Sequence, residues 1–480
     1  MVNQLEFTYD ELGNQLTAVD LRVSADDNSE SFLTFTYDAL NRLETVDNAG
    51  TPDVPNVILT YTYDAQGNLA SVTDNFGITV RSEYDARNRL DVREWFDADG
   101  SGDVDDARIE FDYSASGRIT EMRRFADQAG DAANLIGTTV RTYDLAGRSD
   151  DLNHLGASDT NISSYAYSYD FAGLLTEENR VHQLTEFSQE ISYAYDLTGQ
   201  LLDAIYSGQS NENFTYDANG NRESSITNGS DYSTESGNRL ASDGEFEYSY
   251  DGEGNLIQKI RLIDGEDGSA GEVTDYEYDH RNRLVRVTIR ASEGATILLE
   301  KVTYQYDALG RRIARTENGD TIHFVYNGDN VWADFNEAGE AVARYLFGNN
   351  IDQNIARYQP GEGTVWYLAD LLGTIRDLVD ANGQLVNHTE YDAYGQILSQ
   401  LNEAIADRFA FTGREFDRIT QDYFYRARFY SPITGRFSSN DPLGFGGNDA
   451  NLFRYVANSP GNYIDPLGTV ALTSLSLIHI

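Results

Sequence analysis

The chain has no cysteine among its 480 residues. That excludes disulfides, thiolate catalysis and cysteine-based zinc sites, without fixing the compartment. Lysine is nearly missing as well: Lys259 and Lys301 are the two present, so arginine supplies the rest of the 35 basic residues. Set against 79 acidic residues, they leave a net charge of −44. Nucleic-acid binding is disfavoured, because phosphate contacts need positive surface. The acidity suits a salty medium and solubility first, and an enclosure around a basic cargo second. The six histidines show no H-x-x-x-H or similar spacing, which argues against a histidine-based catalytic metal. Proline is scarce, at seven, and no Pro/Ser-rich linker interrupts the chain. No apolar run is long enough to span a bilayer. A conventional hydrolase lacks its marks: there is no G-x-S-x-G elbow and no Ser/His/Asp set. Nothing singles out a glycosidase pair among the carboxylates.

What the chain does have is a repeat. Twelve times an Asp directly after a Tyr is followed three residues later by Gly or Asn, from Tyr9-Asp10/Gly13 to Tyr391-Asp392/Gly395. Gly and Asn best tolerate positive φ, so the pattern reports one turn geometry used again and again. In Tyr61-Thr62-Tyr63-Asp64-Ala65-Gln66-Gly67-Asn68-Leu69 the two tyrosines share one strand face. Asp64 caps the turn, Gly67 takes the left-handed position, and Leu69 starts the returning strand. The expected unit is a β-hairpin with a loop of about four residues. One hairpin alone is marginal in water. Stacked edge to edge, hairpins bury their Tyr and Leu against neighbours, as repeat arrays do. The turn aspartates are read as structural, none as catalytic.

One loop departs from this plan. Asp97, Asp99, Ser101, Asp103 and Asp105 fall at positions 1, 3, 5, 7 and 9 of a segment with Gly102 at position 6 and Val104 at 8. Alternating oxygen ligands around a tight turn are the logic of a calcium loop. Arg108 stands at position 12, where a bidentate Glu belongs. The other reading is a polar hairpin tip, and Arg108 favours it; no other cofactor is called for.

From about residue 360 the rhythm changes. Phe411-Thr412-Gly413-Arg414-Glu415 is followed by Arg426-Ala427-Arg428-Phe429-Tyr430-Ser431-Pro432-Ile433-Thr434-Gly435-Arg436-Phe437. Two Asp-Pro-Leu-Gly boxes then start at Asp441 and Asp465. This combination closely resembles the RHS repeat-associated core domain, and the upstream units resemble its YD repeats; the resemblance covers nearly the whole chain. It implies a hollow β-shell wound from the repeats, with the core plugging one end and a toxin domain following it. It further implies an intramolecular aspartyl protease that releases the toxin. Arg428, Asp441 and Asp465 match the family's essential Arg and its two box aspartates. The chemistry agrees, since two close carboxylates share a proton, leaving one to activate water and the other to polarise the carbonyl. From residue types alone the boxes are equally good as plain turns. Cleavage is expected between Thr469 and Val470; relatives usually carry an apolar residue where Thr469 stands.

The reading is therefore all-β: repeated hairpins forming one long twisted antiparallel sheet, coiled into a partial shell with a C-terminal core plug. Residues 1–360 form the repeat array, 361–468 the core, and 469–480 a tail whose last six residues resemble a translated sequencing adapter. A start within a repeat and a toxin missing from the text are expected. Glu403–Asp407 is the expected helix. Asp441 and Asp465 should lie within a few ångströms of each other. The implied partners are the chain's own toxin and a shell-closing or secretion-system protein, with secretion or surface display. The alternative is a carbohydrate-binding or adhesive YD-repeat protein without proteolysis.

Overall fold

The computed structural model describes residues 2–23, 30–98, 100, 102–182, 187–226, 229, 231–262 and 271–473. Among them there is no α-helix, and the Glu403–Asp407 stretch makes one 3-10 turn, Glu403–Ile405. Strands dominate. A first sheet holds 18 of them, from Val2–Tyr9 to Arg222–Ser225. A second holds 16, from Ser233–Glu235 to Ile397–Gln400. Each strand pairs antiparallel with the next in sequence, as in Tyr61↔Val72 and Tyr304↔Arg315. The all-β hairpin array is thus present, but as two sheets rather than one. The break follows the short Arg222–Ser225 strand, where the sequence Thr227-Asn228-Gly229-Ser230-Asp231 offers no alternating apolar face.

The repeated turn is shorter than expected. In the unit at Asp64 the backbone N–H of Asp64 donates to Asn68 O at 2.9 Å, and Gly67 N donates to Asp64 O at 3.1 Å. Three residues therefore cross the turn, with Gly67 at φ +93°. The register shifts at Tyr63, so this is the type I turn with a glycine bulge. The Asp64 carboxylate caps the loop, accepting from Gln66 N at 2.9 Å and Asn68 N at 2.8 Å.

Two side chains then tie many of the hairpins to the one before. The repeat tyrosine donates its hydroxyl to the carbonyl that opens the previous returning strand: Tyr63 to Leu43 O at 2.8 Å, Tyr84 to Leu69 O at 3.1 Å, Tyr169 to Ser149 O at 2.8 Å. Where Arg stands four residues after the turn Asp, it grips that Asp and lies over the next hairpin's ring. Arg42 does this with Asp38 (Nε–Oδ2, 2.8 Å) and Tyr63 (4.3 Å to the centroid).

The two sheets meet face to face. Trp95, Ile109 and Phe111 of the first pack with Leu346, Ile355, Trp366 and Val379 of the second. Leu59 and Val72 pack with Trp332 and Phe335. Along this seam the inward apolar residues of the hairpins find the opposite sheet within reach and are buried against it. Polar ties cross it too: Asp74 Oδ2 accepts from Trp332 Nε1 at 2.9 Å and from Arg344 Nη1 at 2.7 Å.

The second sheet runs on past residue 361 to Gln400. A separate four-stranded piece follows: Glu415–Asp417, Asp422–Tyr425, Arg428–Ser431 and Arg436–Phe437. Tyr423, Tyr425, Tyr430 and Tyr455 are fully buried in its core. Phe424 and Phe429 pack against Tyr304 and Tyr306 of the second sheet, and Arg312 pairs with Glu415 at 2.7 Å, both buried. The piece is thereby locked onto the wall.

Candidate functional site

Both Asp-Pro-Leu-Gly boxes fold as turns. Gly444 N donates to Asp441 O at 2.8 Å, and Gly468 N to Asp465 O at 3.2 Å. Gly444 and Gly468 sit at φ +55° and +68°. The turns do more than reverse the chain, because they aim their first carboxylates at one guanidinium. Arg428 Nη2 is 3.0 Å from Asp441 Oδ2 and 3.5 Å from Asp465 Oδ2. The aspartates thus meet on a single nitrogen.

Arg428 is 4 % exposed and its place is fixed on every side. It opens the Arg428–Ser431 strand, and its plane lies 3.6 Å over the Phe437 ring centroid. Nε donates to Gly468 O at 2.6 Å and Nη1 to Leu452 O at 2.9 Å. Burial lowers its pKa to about 10, although Asp441 and Asp465 pull the other way. Burial likewise raises the pKa of Asp465, against the backbone hydrogen bonds of Thr469 and Val470 and the charge of Arg428. A carboxylate in such surroundings keeps a proton more readily than one in water.

The segment after the second box is held in the same place. Asp465 Oδ1 accepts from Thr469 N at 2.8 Å and from Val470 N at 3.1 Å. Arg426 Nη1 donates to Pro466 O at 2.5 Å and Ala427 N to Leu467 O at 3.2 Å. A Cβ added to Gly447 would stand 2.8 Å from Asp441 Oδ2 and 2.9 Å from Thr469 O. The Asp441 carboxylate and the Thr469 carbonyl therefore flank one glycine, and the Thr469–Val470 peptide bond has Asp441 on its oxygen side and Asp465 on its nitrogen. Gly447 is a site residue that sequence reasoning missed; its only signal is a glycine between the two boxes.

The calcium-like loop is less complete. Asp99 and Ser101 lie outside the described residues. Asp97 accepts backbone N–H bonds from Gly100 at 3.2 Å and Gly102 at 2.5 Å. Asp105 Oδ2 accepts from Thr364 N at 2.9 Å and Thr364 Oγ1 at 3.2 Å. Asp103 donates its own N–H to Asp97 Oδ2 at 3.3 Å. Arg108, at position 12, pairs with Glu94 and Glu110 at 2.5 and 2.8 Å. Two of the described carboxylates are thus committed to protein donors.

Residues 107–455 match the profile of the Teneurin YD-shell family, and residues 63–94 match the RHS Repeat. The chain belongs to the Teneurin YD-shell family. Several curated proteins are similar to this YD-shell chain. The tRNA nuclease WapA of Bacillus subtilis is 29% identical over 268 residues, covering 53% of this chain and 11% of that protein. Toxin protein Tse5 of Pseudomonas aeruginosa is 29% identical over 268 residues, covering 49% and 19%. Double-stranded DNA deaminase toxin A of Burkholderia cenocepacia is 28% identical over 305 residues, covering 56% and 20%. The YD-shell chain spans a fifth or less of the length of these relatives. Among solved structures, the TcdB2-TccC3-Cdc42 crystal structure is similar at a TM-score of 0.41 and 15% identity, over 96% of this chain and 31% of that one. No helix of the described residues is long and apolar enough to cross a membrane.

Proposed function

We propose that this chain is the wall and stopper of a toxin-delivery shell, and that its core cuts the backbone between Thr469 and Val470. One observation carries the reading: Arg428, Asp441, Asp465 and that peptide bond share one partly buried corner. Asp441, paired with Arg428 at 3.0 Å, takes a proton from a water that attacks the Thr469 carbonyl carbon. Asp465, carrying the proton its burial favours, gives it to the Val470 nitrogen as the C–N bond breaks. Thr469 ends as a carboxylic acid and Val470 as a free amine, and the pair's proton has moved from Asp465 to Asp441. Each proton transfer contributes on the order of 10²–10⁴ in rate. Arg428 holds both carboxyl groups in register and favours the single negative charge the pair keeps.

The cargo in this reading is whatever chain follows residue 470, exported with the shell, and a further protein closes or carries it. Toxins and toxin-like nucleases among the relatives support that role. The seam between the sheets holds cavities of ligand size, about 390 Å³ beside Ile109 and Phe111 and about 440 Å³ beside Arg222 and Tyr394, too small for a folded domain, so cargo lies beyond that stretch. A carbohydrate-binding adhesin would need exposed aromatic stripes, whereas Tyr165, Tyr167, Tyr304 and Tyr306 are buried. To test the proteolytic reading, the chain is fused through Val470 to a fluorescent reporter and followed by gel and mass spectrometry. A reporter fragment beginning at Val470 is expected from the parent and not from Asp441→Asn or Asp465→Asn. A single uncut band, the same for parent and Asp441→Asn, overturns it.

A further inference from the structure

The three residues His182, Asp377 and His388 are as much as 206 positions apart, and folding brings their side chains together in the seam between the sheets. His182 ends a first-sheet strand, Leu175–His182, while Asp377 and His388 lie on the second-sheet strands Ile375–Asp380 and Leu385–Tyr391. His388 Nδ1 is 2.5 Å from Asp377 Oδ1, and His182 Nε2 is 3.1 Å from the same oxygen. One ligand atom from each of the three lies within 4.8 Å of the others. Asp377 is 0 % exposed and His182 3 %.

Two further features suit a metal ion. The far nitrogen of His388, Nε2, faces Glu390 Oε1 at 2.8 Å. A carboxylate behind a histidine fixes its tautomer and turns the other nitrogen's lone pair toward a metal. Ser163 Oγ donates to Asp377 Oδ2 at 2.7 Å, orienting the carboxylate in turn.

We propose that His182, Asp377 and His388 bind one divalent first-row transition metal, which staples the first sheet to the second. Imidazole nitrogen with a carboxylate oxygen is a donor set for zinc and its neighbours. Ligand bonds of about 2.0–2.2 Å put donor atoms about 3–3.5 Å apart, so His182 already sits correctly and His388 backs off by less than about 1 Å. Ser163 or a water fills the fourth position. The site is structural and independent of the proteolytic reading.

The test uses the full chain, stripped with a chelator, incubated with zinc sulfate, desalted and assayed for zinc by mass spectrometry. The expected result is about one zinc per chain, a melting temperature raised by zinc, and at least tenfold weaker binding in a folded His182→Gln variant. Replacing Glu390 behind the ligand, as Glu390→Gln, should weaken binding about 10–100-fold. Cobalt(II) gives a second reading on the parent chain alone: intense visible bands of a four-coordinate ion are expected. Zinc no higher in the parent than in His182→Gln, or cobalt showing only the weak spectrum of the aqueous ion, overturns the proposal.

Discussion

Gly447 shows what a single residue decides in this molecule. The space where its side chain would be belongs to Asp441 Oδ2 and Thr469 O, at 2.8 and 2.9 Å. Both are backbone-anchored or salt-bridged, so neither can move aside cheaply. Gly447→Ala is therefore expected to part the carboxylate from the carbonyl and slow cleavage of the reporter fusion at least tenfold while leaving the fold intact; cleavage rate and circular dichroism check both halves. The two aspartates were legible in the sequence because the Asp-Pro-Leu-Gly boxes advertise them. Gly447 was not, because its reason for being glycine exists only when residues 441 and 469 have been brought together. The same holds for His182 and His388, whose spacing along the chain carries no sign of their contact.

At the scale of the hairpin, the YD pattern read the turn well. Asp64, Gly67 and Leu69 play their assigned parts, although the Asp64–Asn68 backbone bond leaves three residues in the loop rather than four. The pattern also passed over units whose lettering differs. Ser114 takes the turn aspartate's place, accepting from Arg118 N at 3.1 Å. Asp370 caps an equivalent turn without a preceding tyrosine. Hydrogen-bonding capacity, not the letter, is what the turn selects. Within the plug, the Asp422–Tyr425 strand begins with a carboxyl that burial pushes up to about 7. Its unfolded value is near 3.9. A raised acid stabilises the fold fully below that unfolded value and loses the contribution as pH climbs through 7. Asp422→Asn stays neutral, so its stability relative to the parent should grow between pH 4 and 7, by up to about 4 kcal/mol, and level off above. Urea midpoints at pH 4.5, 6 and 7.5 for both proteins check this; parallel pH profiles would contradict it.

For the molecule as a whole, the all-β hairpin array was legible, and its division into two facing sheets was not. Periodicity tells which face of a strand is apolar, but not which distant surface will cover it. Trp332 and Asp74 illustrate the gap, 258 residues apart and joined at 2.9 Å. Asp74 also holds Arg344 at 2.7 Å, with both side chains buried. Asp74→Asn leaves that guanidinium without its counter-charge, and a loss of about 3–5 kcal/mol is expected. Chemical denaturation measures it, and a loss below about 1 kcal/mol would mean the sheets are clasped elsewhere. One further consequence follows from the tyrosine hydroxyls, which reach back to the hairpin preceding their own. As the chain leaves the ribosome, each unit tied in this way finds its acceptor already laid down. Growth by such one-way ratcheting needs no waiting for later residues, and domain-by-domain folding from the N-terminus is the usual order. The corner around Arg428, translated after the strands that carry it, would thus form only once its wall is standing.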